Sequence, residues 1–119
     1  AWHGQLLTHL TANDRIGAMR FLHQVQTQGA DMDLLAKGFL EYLRQVMIAK
    51  IDRGILDQAG LAMADTGTEQ LHAFATTMDG AYLVRMIQAF THARVQIRTS
   101  PIPSLPLELA VLELTQNAA

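Results

Sequence analysis

Apolar residues recur every three or four positions along almost the whole chain, and no stretch alternates apolar and polar residues for long enough to indicate a strand. The spacing predicts an all-α fold, a compact bundle of about five to six helices in a single domain spanning residues 1–119. The helical segments are expected at residues 2–10, 15–28, 34–51, 66–78, 80–98 and a last helix beginning near Pro106.

The predicted helix ends carry residues that stabilise such ends. Short polar side chains accept hydrogen bonds from the free N–H groups of a first turn, and glycine suits the left-handed position after a last turn. Gly29 occupies such a position, and the glycine-containing residues 52–67 are predicted to form a loop. Candidate N-terminal caps are Asn13 or Asp14 for the second helix, Asp31 and Asp33 for the third, Thr66 with Glu69 for the fourth, Asp79 for the fifth and Ser104 for the last.

All three prolines of the chain lie within the segment TSPIPSLP, residues 99–106. Pro101 and Pro103 end the fifth helix, because proline cannot continue a helix and pushes the residue before it into an extended conformation. Pro106 is expected in the first turn of the last helix, where its missing N–H would have had no partner.

The last helix is apolar on both sides. Since a helix turns by about 100° per residue, its leucines fall on two nearly opposite stripes. Such a helix must be sandwiched, either within its own domain or between subunits, and the sequence leaves both possibilities open. If it reaches a neighbouring subunit, the expectation is that one stripe, Leu107, Val111 and Leu114, faces that subunit while the other, Leu105, Leu109 and Leu112, faces the core.

Composition and charge narrow the range of possible functions. Only 17% of the residues are charged, below the value of about 25% typical of globular domains, so some apolar surface is expected to need a partner. The net charge of −2 gives no general attraction to phosphate, and strong nucleic-acid binding is not expected. The absence of cysteine, of a signal peptide and of a long apolar run favours a cytoplasmic protein.

The sequence contains no constellation typical of catalysis, cofactor binding or metal binding. It lacks the glycine-rich phosphate loops, and no two of its five histidines stand at the i, i+4 spacing of a helical metal site. No catalytic residue, cofactor or metal is therefore expected. Arg94 and Arg98 share a helix face near Arg85 and His92, and this small basic strip is a candidate for subunit contacts through ion pairs. A solvated face and a contact with phosphate are the alternatives.

Two stretches resemble the third domain of the bacterial DNA polymerase III gamma/tau subunit: FLEYLRQVMIAKI, and DGAYLVRMIQAFTHARVQIRTSPIPSLPLELAVLEL after a variable loop. The resemblance covers nearly the whole chain and rests on order and spacing rather than on a catalytic motif. The matching positions are Leu43, Arg44 and Lys50 in the first stretch, and Arg98, Ser100, Pro101, Leu107, Glu108 and Leu112 in the second.

The resemblance implies a clamp-loader subunit of DNA replication, whose nucleotide-binding ATPase modules precede this domain. The domain itself would be a non-catalytic collar that oligomerises with the other subunits, gamma/tau, delta and delta prime, and a chain beginning at Ala1 would be an excised piece of that subunit. The main alternative is the helical ligand-binding domain of a bacterial transcriptional repressor, which requires an interior cavity lined by methionine and phenylalanine.

Overall fold

The computed structural model describes residues 2–52 and 65–115, except for the side chains of residues 65–67. All regular structure in these two ranges is helical, as the spacing predicts, and most of the predicted loop at 52–67 lies outside them. The helices are α1 (Trp2–Thr11), α2 (Arg15–Thr27), α3 (Met32–Ile51), α4 (Asp65–Thr77), α5 (Gly80–Ile97) and α6 (Leu105–Leu114).

Three aspartates cap helices at the predicted places. The Asp14 carboxylate accepts a hydrogen bond from the backbone N–H of Gly17 at 2.9 Å, Asp31 accepts from two N–H groups at the start of α3, and Asp79 accepts from the N–H of Tyr82 at 3.1 Å. Gly29 follows α2 with a φ of 90°, a conformation that glycine adopts without a steric penalty. The sequence therefore predicts these ends correctly.

Three other candidate caps behave differently. Asp33 lies inside the first turn of α3, where its carboxylate pairs with an arginine of α5. Thr66 lies within α4 rather than before it, so it does not precede the helix as the Thr66 and Glu69 spacing suggests. Ser104 precedes α6 at the expected position, but its buried side chain makes no capping hydrogen bond.

Helices α3 and α5 form the centre of the fold. Helix α3 packs against α4 and α5, α5 packs against α6, and α2 bridges α1 and α6. Phe39 of α3 and Phe90 of α5 meet edge to face, with 4.8 Å between ring centroids, a favourable arrangement for two aromatic rings. The largest fully buried side chains come from all six helices: Leu6, Leu7, Leu10, Leu22, Phe39, Leu43, Val46, Leu71, Leu83, Met86, Phe90 and Leu107.

Two polar side chains join helix ends to the core. The Tyr82 hydroxyl lies 2.7 Å from the carbonyl oxygen of Leu114 and 3.1 Å from that of Leu10, so it contacts the last turns of α6 and α1 together. The Lys50 ammonium donates to the carbonyl oxygens of Met78, at 2.7 Å, and Ala75. A cation there is favourable because the carbonyls at the end of a helix carry partial negative charge.

Candidate subunit interface

The segment between α5 and α6 turns the chain back through a small hydrogen-bonded loop. The Ser100 hydroxyl donates to the carbonyl oxygen of Ile102 at 2.7 Å and accepts from the N–H of the same residue. Pro106 lies in the first turn of α6, as expected, and is buried. The proline-rich segment therefore sets where the last helix starts.

The structure reverses the expected roles of the two stripes of α6. Leu107, Val111 and Leu114 belong to the chain's own core, with exposed fractions of 1%, 0% and 5%. They were expected to face a neighbouring subunit, and this assignment is wrong because α2 and α5 already cover that side of the helix. Residues enclosed by their own domain have no surface left to offer a partner.

The opposite side of α6 is exposed. Leu105, Leu109 and Leu112, expected in the core, have exposed fractions of 37%, 51% and 41%, and we name them the α6 stripe. They are spaced by four and three residues, so they share one face of the helix. Three neighbouring exposed leucines on a ten-residue helix form an apolar surface that none of the other described residues covers.

Two carboxylates flank the α6 stripe. Glu108 lies beside α2, in a groove that Arg20 and His23 also line, and Glu113 lies beside α5 in a groove shared with Tyr82 and Arg85. In residues 2–52 and 65–115 neither glutamate belongs to an ion pair, although an arginine lines each groove. The stripe is thus an apolar strip with one α6 carboxylate at each edge and an arginine of a neighbouring helix in the same groove.

Arg15 holds the far end of α6 in place. Its guanidinium donates to the carbonyl oxygen of Leu112 and to the hydroxyl of Thr115, each at 2.9 Å, and also to the carbonyl oxygen of Thr115. These acceptors include carbonyls that have no partner within the helix. Nothing in the local sequence around Arg15 indicates this role, since the partner lies one hundred residues away.

The basic strip predicted around Arg94 is divided by the fold. Arg94 and Arg98 line a groove between α3 and α5, where the Arg94 guanidinium pairs with the Asp33 carboxylate at 3.1 Å. Arg85 lies instead beside α6, and the exposed His92 is in neither groove. The structure therefore brings Arg94 and Arg98 together and separates them from Arg85.

The remaining polar residues do not form a recognisable chemical site. No group of three or more potential metal ligands occurs in the part of the chain that the structure describes. Burial lowers the pKa of His3 to about 4, and its half-buried ring stacks on Trp2, so the neutral imidazole packs against an aromatic neighbour. Burial also raises the pKa of Tyr42 to about 12.

The methionine and phenylalanine side chains needed for a ligand cavity are used in packing. Met32, Met78, Met86, Phe39 and Phe90 are all buried in the common core. The repressor-type alternative requires these residues around an open interior volume, and their contacts favour a filled core instead. Among the described helices, none is both long and apolar enough to cross a membrane.

Comparison with known proteins identifies the family to which this chain belongs. No curated protein matches the chain significantly. A family model does match it, over residues 3–119, and that model describes domain III of the DNA polymerase III subunits gamma and tau. Because the match covers essentially the whole sequence, the chain belongs to the family of DNA polymerase III gamma and tau domain III.

Proposed function

We propose that this domain is a non-catalytic oligomerisation module that joins clamp-loader subunits in a collar, so that the assembled complex can load the sliding clamp during DNA replication. The observation that carries the proposal is the α6 stripe, a row of three exposed leucines on a helix whose other side is fully enclosed. The family membership supports it, because gamma and tau are subunits of a multi-subunit polymerase.

The composition of this surface fits a protein interface. Full burial of an exposed leucine stabilises a complex by about 1.5–3 kcal/mol, and each of the three retains a substantial exposed fraction in the isolated chain. Interfaces combine an apolar centre with a polar rim, and here Glu108 and Glu113 stand at the edges of the leucines. Arg94 and Arg98 are proposed as further contacts, on a second surface.

The proposed partners are the domains of the same kind in the gamma/tau, delta and delta prime subunits, and the proposed location is the cytoplasm. The nucleotide chemistry of the complex would belong to other modules, since this sequence has no phosphate loop. Its net charge of −2 likewise favours protein partners over DNA.

The decisive experiment compares two exposed positions that receive the same charge. Leu109→Glu should weaken self-association and binding to the delta and delta prime subunits, because an interface centre does not tolerate an unpaired charge. Gln88→Glu, at an exposed position of α5, is the matched control and should leave both unchanged. Sedimentation at several concentrations measures association, and circular dichroism confirms that both variants are folded.

The proposal fails if Leu109→Glu remains folded and associates as the unmodified chain does. If Leu109→Glu does not fold, Leu109→Ala replaces it as the test variant. This change removes apolar area without adding charge, so it should weaken association, but by less than a charge at the same position would. In calorimetry we expect no saturable binding of ATP. Submicromolar binding of primed DNA at about physiological salt would contradict a purely structural role.

A further inference from the structure

We infer that the α6 stripe of one copy of this chain docks into the groove between α3 and α5 of a second copy, head to tail. This inference rests on the proposed oligomerisation function and specifies the surface that receives the stripe. The α3–α5 groove has a volume of about 320 Å³ and is lined by Asp33, Leu40, Thr91, Arg94, Val95 and Arg98.

The groove combines apolar walls with basic charge. Val95 is 69% exposed and Leu40 is half-buried, so both present aliphatic surface to an incoming side chain. The ion pair between Arg94 and Asp33 crosses from α5 to α3 and fixes the position of the Arg94 guanidinium. Arg98, the residue that follows α5, is exposed and has no ion-pair partner in the described ranges.

The α6 stripe and the α3–α5 groove lie on different sides of the molecule. Arg85 faces α6 and Arg94 faces α3, and these residues stand nine positions apart on α5. At about 100° per residue this separation is about half a turn, so the two neighbouring helices flank opposite sides of α5. When the stripe of one copy fills the groove of a second, the first copy keeps a free groove and the second keeps a free stripe. Further copies can bind to these two surfaces, and such head-to-tail assemblies grow and close into rings.

Charge distinguishes this arrangement from a symmetric one. Helix α6 carries two carboxylates, Glu108 and Glu113, and no basic residue, whereas Arg94 and Arg98 outnumber Asp33 in the groove. Two α6 stripes facing each other would bring the four carboxylates of the two helices close together, whereas a stripe in the groove places Glu108 and Glu113 near Arg94 and Arg98. Arg20 and Arg85, which line the grooves beside these glutamates, belong to α2 and α5 rather than to the stripe itself. Opposite charge across an interface favours the correct partner, and like charge opposes the wrong one.

The chain contains no cysteine, so single introduced cysteines can map the contact. We would prepare Leu109→Cys on the stripe and Val95→Cys in the groove, and treat each alone and the mixture with a short thiol-specific cross-linker. Both positions are exposed, which makes folded variants the expected outcome. Gln26→Cys, on the exposed side of α2, is the control for random collision.

The inference predicts that the mixture of Leu109→Cys and Val95→Cys gives at least tenfold more cross-linked dimer than either variant alone or than Leu109→Cys mixed with Gln26→Cys. Efficient cross-linking of Leu109→Cys to itself would show a symmetric contact and overturn the inference. Absence of specific cross-links, with delta subunit binding still sensitive to Leu109→Glu, would overturn the inference while leaving the proposed function standing.

Charge reversal supplies an independent test. Arg98→Glu and Glu108→Arg should each weaken self-association several-fold, and the double variant should recover most of the loss, because every head-to-tail contact then pairs the reversed charges. In a symmetric dimer, two copies of Glu108→Arg still face like charge, so no recovery occurs. If Arg98→Glu has no effect while Leu109→Glu abolishes association, the groove is the wrong receptor and the stripe remains the interface.

Discussion

The guanidinium of Arg15, the first residue of α2, donates a hydrogen bond to the hydroxyl of Thr115, the residue that ends α6, at 2.9 Å. The same guanidinium also donates to two backbone carbonyl oxygens at that helix end. A planar group with several donors suits this task, since it satisfies neighbouring acceptors at the same time.

Replacing Arg15 should therefore destabilise the fold. Hydrogen bonds involving a charged group contribute about 1.5–3 kcal/mol, and we expect Arg15→Met to lower the free energy of unfolding by an amount in that range. Arg15→Lys should recover only part of it, because an ammonium group lacks the fork of donors. Urea titration measures the loss, and Arg20→Met, an exposed change on the same helix, should cause almost none.

Truncation of the two faces of α6 should have unequal effects on stability. Leu107→Ala removes a fully buried side chain and should cost about 2–5 kcal/mol, whereas Leu109→Ala, at a position 51% exposed, should stay near 0.5 kcal/mol for the monomer. Thermal unfolding at low protein concentration compares the two. If both variants lose the same stability, both faces of α6 are internal, and the α6 stripe is not an exposed surface.

Tyrosine hydroxyls provide a second matched pair. Tyr82→Phe removes the hydroxyl that donates to the carbonyl oxygen of Leu114 and should cost about 1–3 kcal/mol, while the carbonyl oxygen of Leu10 keeps its hydrogen bond from the Asn13 N–H. The Tyr42 hydroxyl is buried without a partner in the described residues, so Tyr42→Phe should be neutral or stabilising. The urea midpoint should therefore fall for Tyr82→Phe and stay unchanged or rise for Tyr42→Phe, and a larger loss for Tyr42→Phe would contradict the hydrogen-bond assignment.

The half-buried His3 predicts a dependence of the free energy of unfolding on pH. Burial lowers the pKa of His3 from 6.5 to about 4 in the folded state, so the unfolded chain binds more protons between these values. Stability should consequently fall as the pH drops from 6.5 towards 4, and it should be fully present above 6.5. His3→Gln should remove most of the dependence of the unfolding midpoint on pH over this range.

Asp14 does not obscure that measurement. The hydrogen bond from the Gly17 N–H lowers the pKa of the Asp14 carboxyl below its usual 3.8, so its own contribution is lost only at still lower pH. Restricting the titration to pH above about 4.5 therefore keeps the contribution of Asp14 out of the measurement. An unchanged slope in His3→Gln would show that another group titrates in this window.

The periodicity of the sequence predicts the helices, because a buried stripe is encoded in local spacing. On α5, apolar residues three and four positions apart point inward: Leu83, Met86 and Phe90 are buried and Ile87 is half-buried. The polar residues Arg85, Gln88 and His92 between them are exposed. The caps at Asp14, Asp31 and Asp79 are local in the same sense.

The orientation of α6 could not be obtained in this way. Both of its stripes consist mainly of leucine, so periodicity does not indicate which stripe faces the core. Only the packing of α2 and α5 against one side of the helix decides this. The pairing of Asp33 with Arg94 and the role of Arg15 are long-range as well. A sequence window identifies such residues as polar but cannot specify their partners.

Because Arg15 and Thr115 lie far apart along the chain, the contact between them can form only late during protein synthesis. Helices α1 and α2 leave the ribosome long before α6, and until then the partners of Arg15 and the leucines Leu107 and Leu114 are missing from the core. Contacts between the two ends of a chain close late, since they depend on the largest loop. A nascent chain stalled before Pro106 therefore exposes the core surface that α6 covers, and is a target for chaperones rather than a finished domain.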